Sequence, residues 1–152
     1  MANEPRYVLH ASDHPKPMGE TLFEYARPLF PRLPQDHTFA ELKAMIMFAA
    51  VVWNIGLLSE ISDAVAYLAR KMPRRLRLDP PQALAVIRPM LTRKESYFSG
   101  DGRLALDVDV ERNGPKFQVR AVGVDEDQLG DALRTDCELC EIVIRDRRQR
   151  LH

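Results

Sequence analysis

The sequence predicts an α+β domain in which a cluster of about four α-helices precedes a small antiparallel sheet. Three observations predict it. Apolar residues recur with helical spacing up to about Phe98, then switch to strict alternation at Leu104, and Asn113-Gly114 sits where that alternating run should turn back. Helices first and strands second favour segregated layers, with the apolar face of the sheet laid over the helical cluster.

Residues 1–17 contain Pro5, Pro15 and Pro17 and no apolar periodicity, so they read as a mobile N-terminal arm before a single domain at 18–146. A charged tail occupies 147–152. The first helix is expected to begin on the capping-box pattern Thr21-Leu22-Phe23-Glu24 and to carry Leu22, Phe23, Ala26, Leu29, Phe30 and Leu33 on one face. Pro28 should kink or shorten it, because proline removes a backbone donor. A second capping box, Thr38-Phe39-Ala40-Glu41, opens a helix that is apolar in almost every direction from Met45 onward. Such a helix is either the central element of the domain or partly covered by a second copy of the chain.

A third helix, capped by Ser59 or Ser62, presents Ile61, Ala64, Val65, Leu68, Ala69 and Met72 and ends at Pro73. Asp79-Pro80-Pro81-Gln82 supplies an N-cap, two prolines in the amide-free first turn and a glutamine at N3. The fourth helix directs Ala83, Leu84, Ile87, Met90 and Leu91 inward, should bend at Pro89, and runs out near Phe98. In the sheet, Leu104, Leu106, Val108 and Val110 are expected on one face opposite Ala105, Asp107, Asp109 and Glu111, with Phe117, Val119 and Ala121 on the return strand. Pro115 weakens the two-residue version of the turn. A short helix is expected from Glu126 to about Arg134, and residues 140–145 read as a third antiparallel strand, with continued helix as the alternative.

Composition narrows the function. The chain has 152 residues, 22 basic and 22 acidic, with two cysteines. Zero net charge argues against a general nucleic-acid binder, and two cysteines cannot build the disulfide framework of a small secreted protein. The apolar run Met45–Leu58 is short of the roughly 20 residues that cross a bilayer, and the N-terminus lacks a basic-then-apolar leader. A cytoplasmic protein without membrane association follows.

Four constellations are candidates for chemistry or binding. Cys137 and Cys140 have redox or metal-ligand spacing, but Asp136, Glu138 and Glu141 disfavour a thiolate. With His10 and His14 they would make four zinc ligands, drawn from opposite ends of the sequence; unrelated packed thiols are the simpler reading, and no cofactor is expected. Arg70, Lys71, Arg74, Arg75 and Arg77 crowd the end of the third helix, where cations cap free carbonyls or face a partner. No aromatic residue interleaves that run as a nucleic-acid stacking platform would. Asn54, beside Trp53 in the apolar helix, must satisfy its amide; it either ties down a neighbouring backbone or lines a small-molecule pocket with Tyr25 and Trp53. No catalytic motif appears: there is no glycine-rich phosphate loop, no H-E-x-x-H and no G-x-S-x-G.

Glu24 to Leu29, Trp53-Asn54, and Arg93-Lys94 through Phe98 with Asp101 and Arg103 together resemble a family of small uncharacterised bacterial proteins, over about residues 20–122. The resemblance implies a bacterial cytosolic origin and one domain, and it assigns no activity to any residue. The expectation is therefore a non-enzymatic interaction or accessory domain, homodimeric through the second helix. Binding of nucleic acid or another anionic partner is the first alternative, and a metal- or thiol-dependent role for Cys137 and Cys140 the second.

Overall fold

The computed structural model describes residues 6–56, 58–128 and 141–145, the two outermost segments as backbone strands. Strand β1 (Arg6–His10) is followed by helices α1 (Met18–Ala26), α2 (Phe39–Trp53), α3 (Ile61–Ala66) and α4 (Pro80–Tyr97). Strands β2 (Arg103–Asn113), β3 (Lys116–Asp125) and β4 (Glu141–Arg145) complete the order.

Local chemistry sets most helix boundaries. At α2 the Thr38 hydroxyl accepts from the Glu41 amide at 3.1 Å, and the Glu41 carboxylate accepts from the Thr38 amide at 2.9 Å. The same reciprocal arrangement joins Asp79 and Gln82 at the start of α4. α1 departs from expectation: it starts at Met18, and Thr21 is a buried residue of its first turns rather than its cap. Pro17, with its fixed φ, leads into the helix, and its carbonyl accepts the Glu20 and Thr21 amides. Pro28 acts as foreseen, since the chain tightens into a 3-10 segment, Arg27–Arg32. α3 is capped by Glu60, whose amide donates to Asp63 at 2.7 Å, while the Ser59 hydroxyl instead donates to the Val51 carbonyl. The helical path then widens into a π-turn, Tyr67–Lys71, closed by the Met72 amide on the Tyr67 carbonyl at 3.0 Å. α4 continues through Pro89 to Tyr97.

α2 is the central rod. Every residue from Glu41 to Trp53 is buried or half-buried within one protomer. The chain's own α1, α4, hairpin and α3–π segment cover most of the apolar surface of α2, with Ala44, Met47 and Val51 half-buried. α1 crosses β3 closely enough that a Cβ on Gly19 would lie 2.1 Å from the Val119 carbonyl oxygen.

The hairpin forms with Asn113 paired to Lys116, so the two loop residues are Gly114 and Pro115. Gly114 has φ of 63°, a value that suits the first central position of a tight hairpin turn, and proline takes the second without loss. The expected alternation on β2 holds only in part. Leu106 pairs with Val122 and Asp109 with Arg120, leaving Asp107 and Val108 opposite a single residue. Asp107 takes φ of 49° at this bulge, and the side-chain parity reverses across it. Ala105, Val108 and Val110 therefore join the helical core, as do Phe117, Val119 and Ala121 from β3. Leu104 and its cross-strand partner Val124 are buried away from that core, so the base of the hairpin is not wet on its second face.

Residues 141–145 are a strand but not a third strand of the hairpin sheet. β4 pairs in parallel with β1, from Arg6–Glu141 to His10–Arg145. The N-terminal segment therefore contributes an element where the sequence offered no pattern, and Ser12 donates its amide to the Gly123 carbonyl at 2.7 Å. Residues 126–128 are helical, and the rest of the helix expected to about Arg134 lies outside the described residues. Among the described residues no helix is long and apolar enough to cross a membrane.

Candidate functional site

The structure brings Tyr25, Trp53 and Asn54 together, as a joint between helices and sheet. Asn54 is the residue that ends α2. Its side-chain amide donates to the Ala105 carbonyl at 2.9 Å and its side-chain oxygen accepts the Ala105 amide at 2.8 Å. One side chain thus completes the hydrogen bonding of the outer edge of β2 at Ala105 as a neighbouring strand would. Trp53 extends the seal, its indole N–H donating to the Arg103 carbonyl at 2.7 Å. An open edge is a template for unwanted pairing, and here two consecutive residues cover its first part, at Arg103 and Ala105.

Three aromatic rings pack against one another at this joint. Tyr25 and Trp53 are fully buried, edge-on to each other at 5.1 Å, and Phe98 packs edge-on against both at 5.6 Å. The Tyr25 hydroxyl donates to the Met90 carbonyl at 2.8 Å. Burial pushes that hydroxyl's pKa far above its ordinary value, only slightly opposed by the charge of Arg93. Lys94 stands 4.5 Å from the Trp53 ring and donates to the Trp53 carbonyl at 2.7 Å, capping the end of α2. Burial lowers the Lys94 pKa, and the acids Glu126 and Asp101 pull the other way. Of the two readings of Asn54, the geometry realises the one in which its amide ties down a neighbouring backbone.

A second buried polar centre was not foreseen. The guanidinium of Arg103, a residue 3% exposed, donates to Asp101 twice, at 2.8 and 2.7 Å, to the Lys16 carbonyl and to the Thr21 hydroxyl. Burial alone would raise the Asp101 pKa, but the guanidinium of Arg103 holds it below its ordinary value. This pair fastens the start of β2 to α1 and to the chain before it. Its sequence trace is only an Asp-x-Arg at the beginning of an alternating run.

The five basic residues divide. Arg75 turns back to α2, contacting both oxygens of Glu41 at 2.6 and 2.7 Å and Asp36 at 3.0 Å. The bonds from Arg75 hold the Glu41 carboxyl down at about 2. Arg77 donates to the Met72 carbonyl at 2.9 Å, a cation capping the end of a helical segment. Arg70, Lys71 and Arg74 stay exposed on the π-turn and on the 3-10 turn Arg74–Leu76. Lys71 lies 6.0 Å over the ring of Tyr67, and Arg70 and Arg74 have no ion-pair partner among the described residues. Beside them lies an open groove lined by Thr38, Glu41, Pro73, Arg74 and Arg75.

Cys137 and Cys140 lie outside the described residues. His10 falls in β1, and His14 is exposed and accepts the Lys16 amide on its Nδ1. Among the described residues no cluster of three or more His, Cys, Asp or Glu could hold a metal ion. Compared with known proteins, the chain matches no family model, no curated protein and no solved structure.

Proposed function

We propose that the protein is a non-enzymatic interaction domain whose binding face is the basic corner at residues 70–77, and that its partner is an acidic protein segment. One observation carries this reading. Arg70, Lys71 and Arg74 project from consecutive short turns into solvent, while their neighbours Arg75 and Arg77 are spent on Glu41, Asp36 and the Met72 carbonyl. The corner is therefore built by two cations and offered by three. The groove beside it gives an extended chain a track along Pro73 and Arg74. Asp36 and Glu41 next to that track suit a partner that approaches at discrete charges more than a uniform phosphate backbone, which supports a protein over nucleic acid. The carboxyls held below their ordinary values, at Glu41, Asp101 and Asp109, are each engaged by a cation of this chain (Arg75, Arg103 and Lys43), which supports a binding role over catalysis.

Fluorescence anisotropy with a labelled oligoglutamate peptide tests the proposal, with a DNA duplex of equal charge as comparison. The expected result is peptide binding that weakens with salt and is lost when Arg70 and Arg74 are both changed to Glu. No binding at low salt, binding unmoved by that double reversal, or a preference for the duplex would overturn it.

A further inference from the structure

A second site lies beneath the basic corner, independent of the reading above. A cavity of about 110 Å³ opens between α2, the π-turn and α4. Met45 and Phe48 of α2, Leu68 of the π-turn, Met72 just beyond it and Val86 of α4 form its floor, and all five are buried. Arg32, at the end of the 3-10 segment after α1, and Arg75 stand at its mouth.

The backbone explains why the space exists. The π-turn makes one wide coil, and the Leu68 carbonyl accepts the Leu78 amide at 3.1 Å. That bond pins the returning chain over the floor as an outer wall carrying Leu76 and Leu78. Interiors are ordinarily close-packed, and a wide helical turn often marks a functional place. Two methionines in the lining give the cavity walls that adapt to the shape of a guest.

We infer that this cavity binds a small organic carboxylate, its apolar chain on the floor and its carboxylate on Arg32. Arg75 is already engaged by Glu41 and Asp36, which leaves Arg32 as the guanidinium without a partner among the described residues. A planar guanidinium recognises a carboxylate through paired hydrogen bonds. The volume sets the chain length: a cavity of about 150 Å³ accommodates benzene, so this one, at about 110 Å³, takes an apolar chain of roughly four or five carbons.

The probe is hexanoate, followed by the methyl NMR signals of Met45 and Met72 and by calorimetry, with hexanol and hexylammonium as controls. Saturable shifts at both methionines are expected with hexanoate, with affinity about tenfold or more above that for hexanol, and none with hexylammonium. Arg32→Gln, at an exposed position, should remove that preference and leave hexanol binding unchanged. Leu78→Phe, which narrows the mouth, should weaken both ligands. Absence of saturable methyl shifts with hexanoate overturns the proposal. So does equal affinity for hexanoate and hexanol, or an Arg32→Gln protein that still prefers the carboxylate.

Discussion

Replacing Asn54 by leucine tests whether the strand edge is held as described. Leucine keeps the bulk and removes both hydrogen bonds to Ala105, whose residue surface is 3% exposed. The Ala105 amide and carbonyl are then buried without partners, at roughly 1–3 kcal/mol each. Added apolar burial offsets about 1 kcal/mol of this, so the expected loss is about 3 kcal/mol. For a chain of this length that lowers the midpoint of thermal unfolding by roughly 6–12 °C, within the stability of an ordinary domain. Asn54→Asp is the sharper variant. Its carboxylate can accept the Ala105 amide but repels the Ala105 carbonyl, whereas the protonated acid can donate to that carbonyl as asparagine does. Its carboxyl pKa should therefore rise in the folded state, and its deficit relative to the parent should shrink as pH falls through that raised value. Urea unfolding followed by circular dichroism measures both variants, and hydrogen exchange at the Ala105 amide reports the edge directly. A leucine variant within about 0.5 kcal/mol of the parent, or an aspartate deficit indifferent to pH, would refute the edge-sealing argument.

Gly19→Ala should cost about 3 kcal/mol in thermal melting, because its Cβ meets the Val119 carbonyl oxygen at 2.1 Å, whereas Gly100→Ala, with open space around it, should change little. Glu41 is held at about 2 in the folded protein against an ordinary 4.5, so its contribution is present above the upper value and lost as pH falls toward the lower one. The stability difference between the parent and Glu41→Gln should accordingly narrow on acidification through that window, as read by denaturant titration at successive pH values. Tyr25, raised by burial, favours the folded state below its ordinary 10.0 and loses that contribution as pH climbs above it. Its phenolate absorbance should appear only with alkaline unfolding, and Tyr25→Phe should remove that part of the alkaline dependence.

Features written in short spans were legible in the sequence. Thr38–Glu41 and Asp79–Gln82 cap helices through bonds three residues apart, and the hairpin turn needs only local backbone preference, although it falls at Gly114-Pro115, one residue beyond the Asn113-Gly114 pair that marked it. The demand on Asn54 was legible as well, since a buried amide must be satisfied, but not the identity of Ala105 as its partner. Thr21 looked like a cap because its neighbours fit the pattern; its hydroxyl in fact meets Arg103, far along the chain. The bulge at Asp107 left no trace in the alternation, because Leu104 and Leu106 are apolar whichever face they take. The split of the basic run depended on Glu41 and Asp36 being delivered by α2 and the turn before it, which residue spacing alone cannot supply. The cavity escaped for the same reason, since its walls come from four separate segments.

The ladder between Arg6–His10 and Glu141–Arg145 has a consequence for how the molecule assembles. Strands from opposite ends of the sequence lie side by side and in parallel, so no local turn can nucleate them. Their union must wait until synthesis has delivered almost all that lies between, and closing so long a loop late is entropically favoured only once the intervening helices and hairpin have already shortened the distance. The helices and the hairpin are then the scaffold on which the terminal ladder is a late addition.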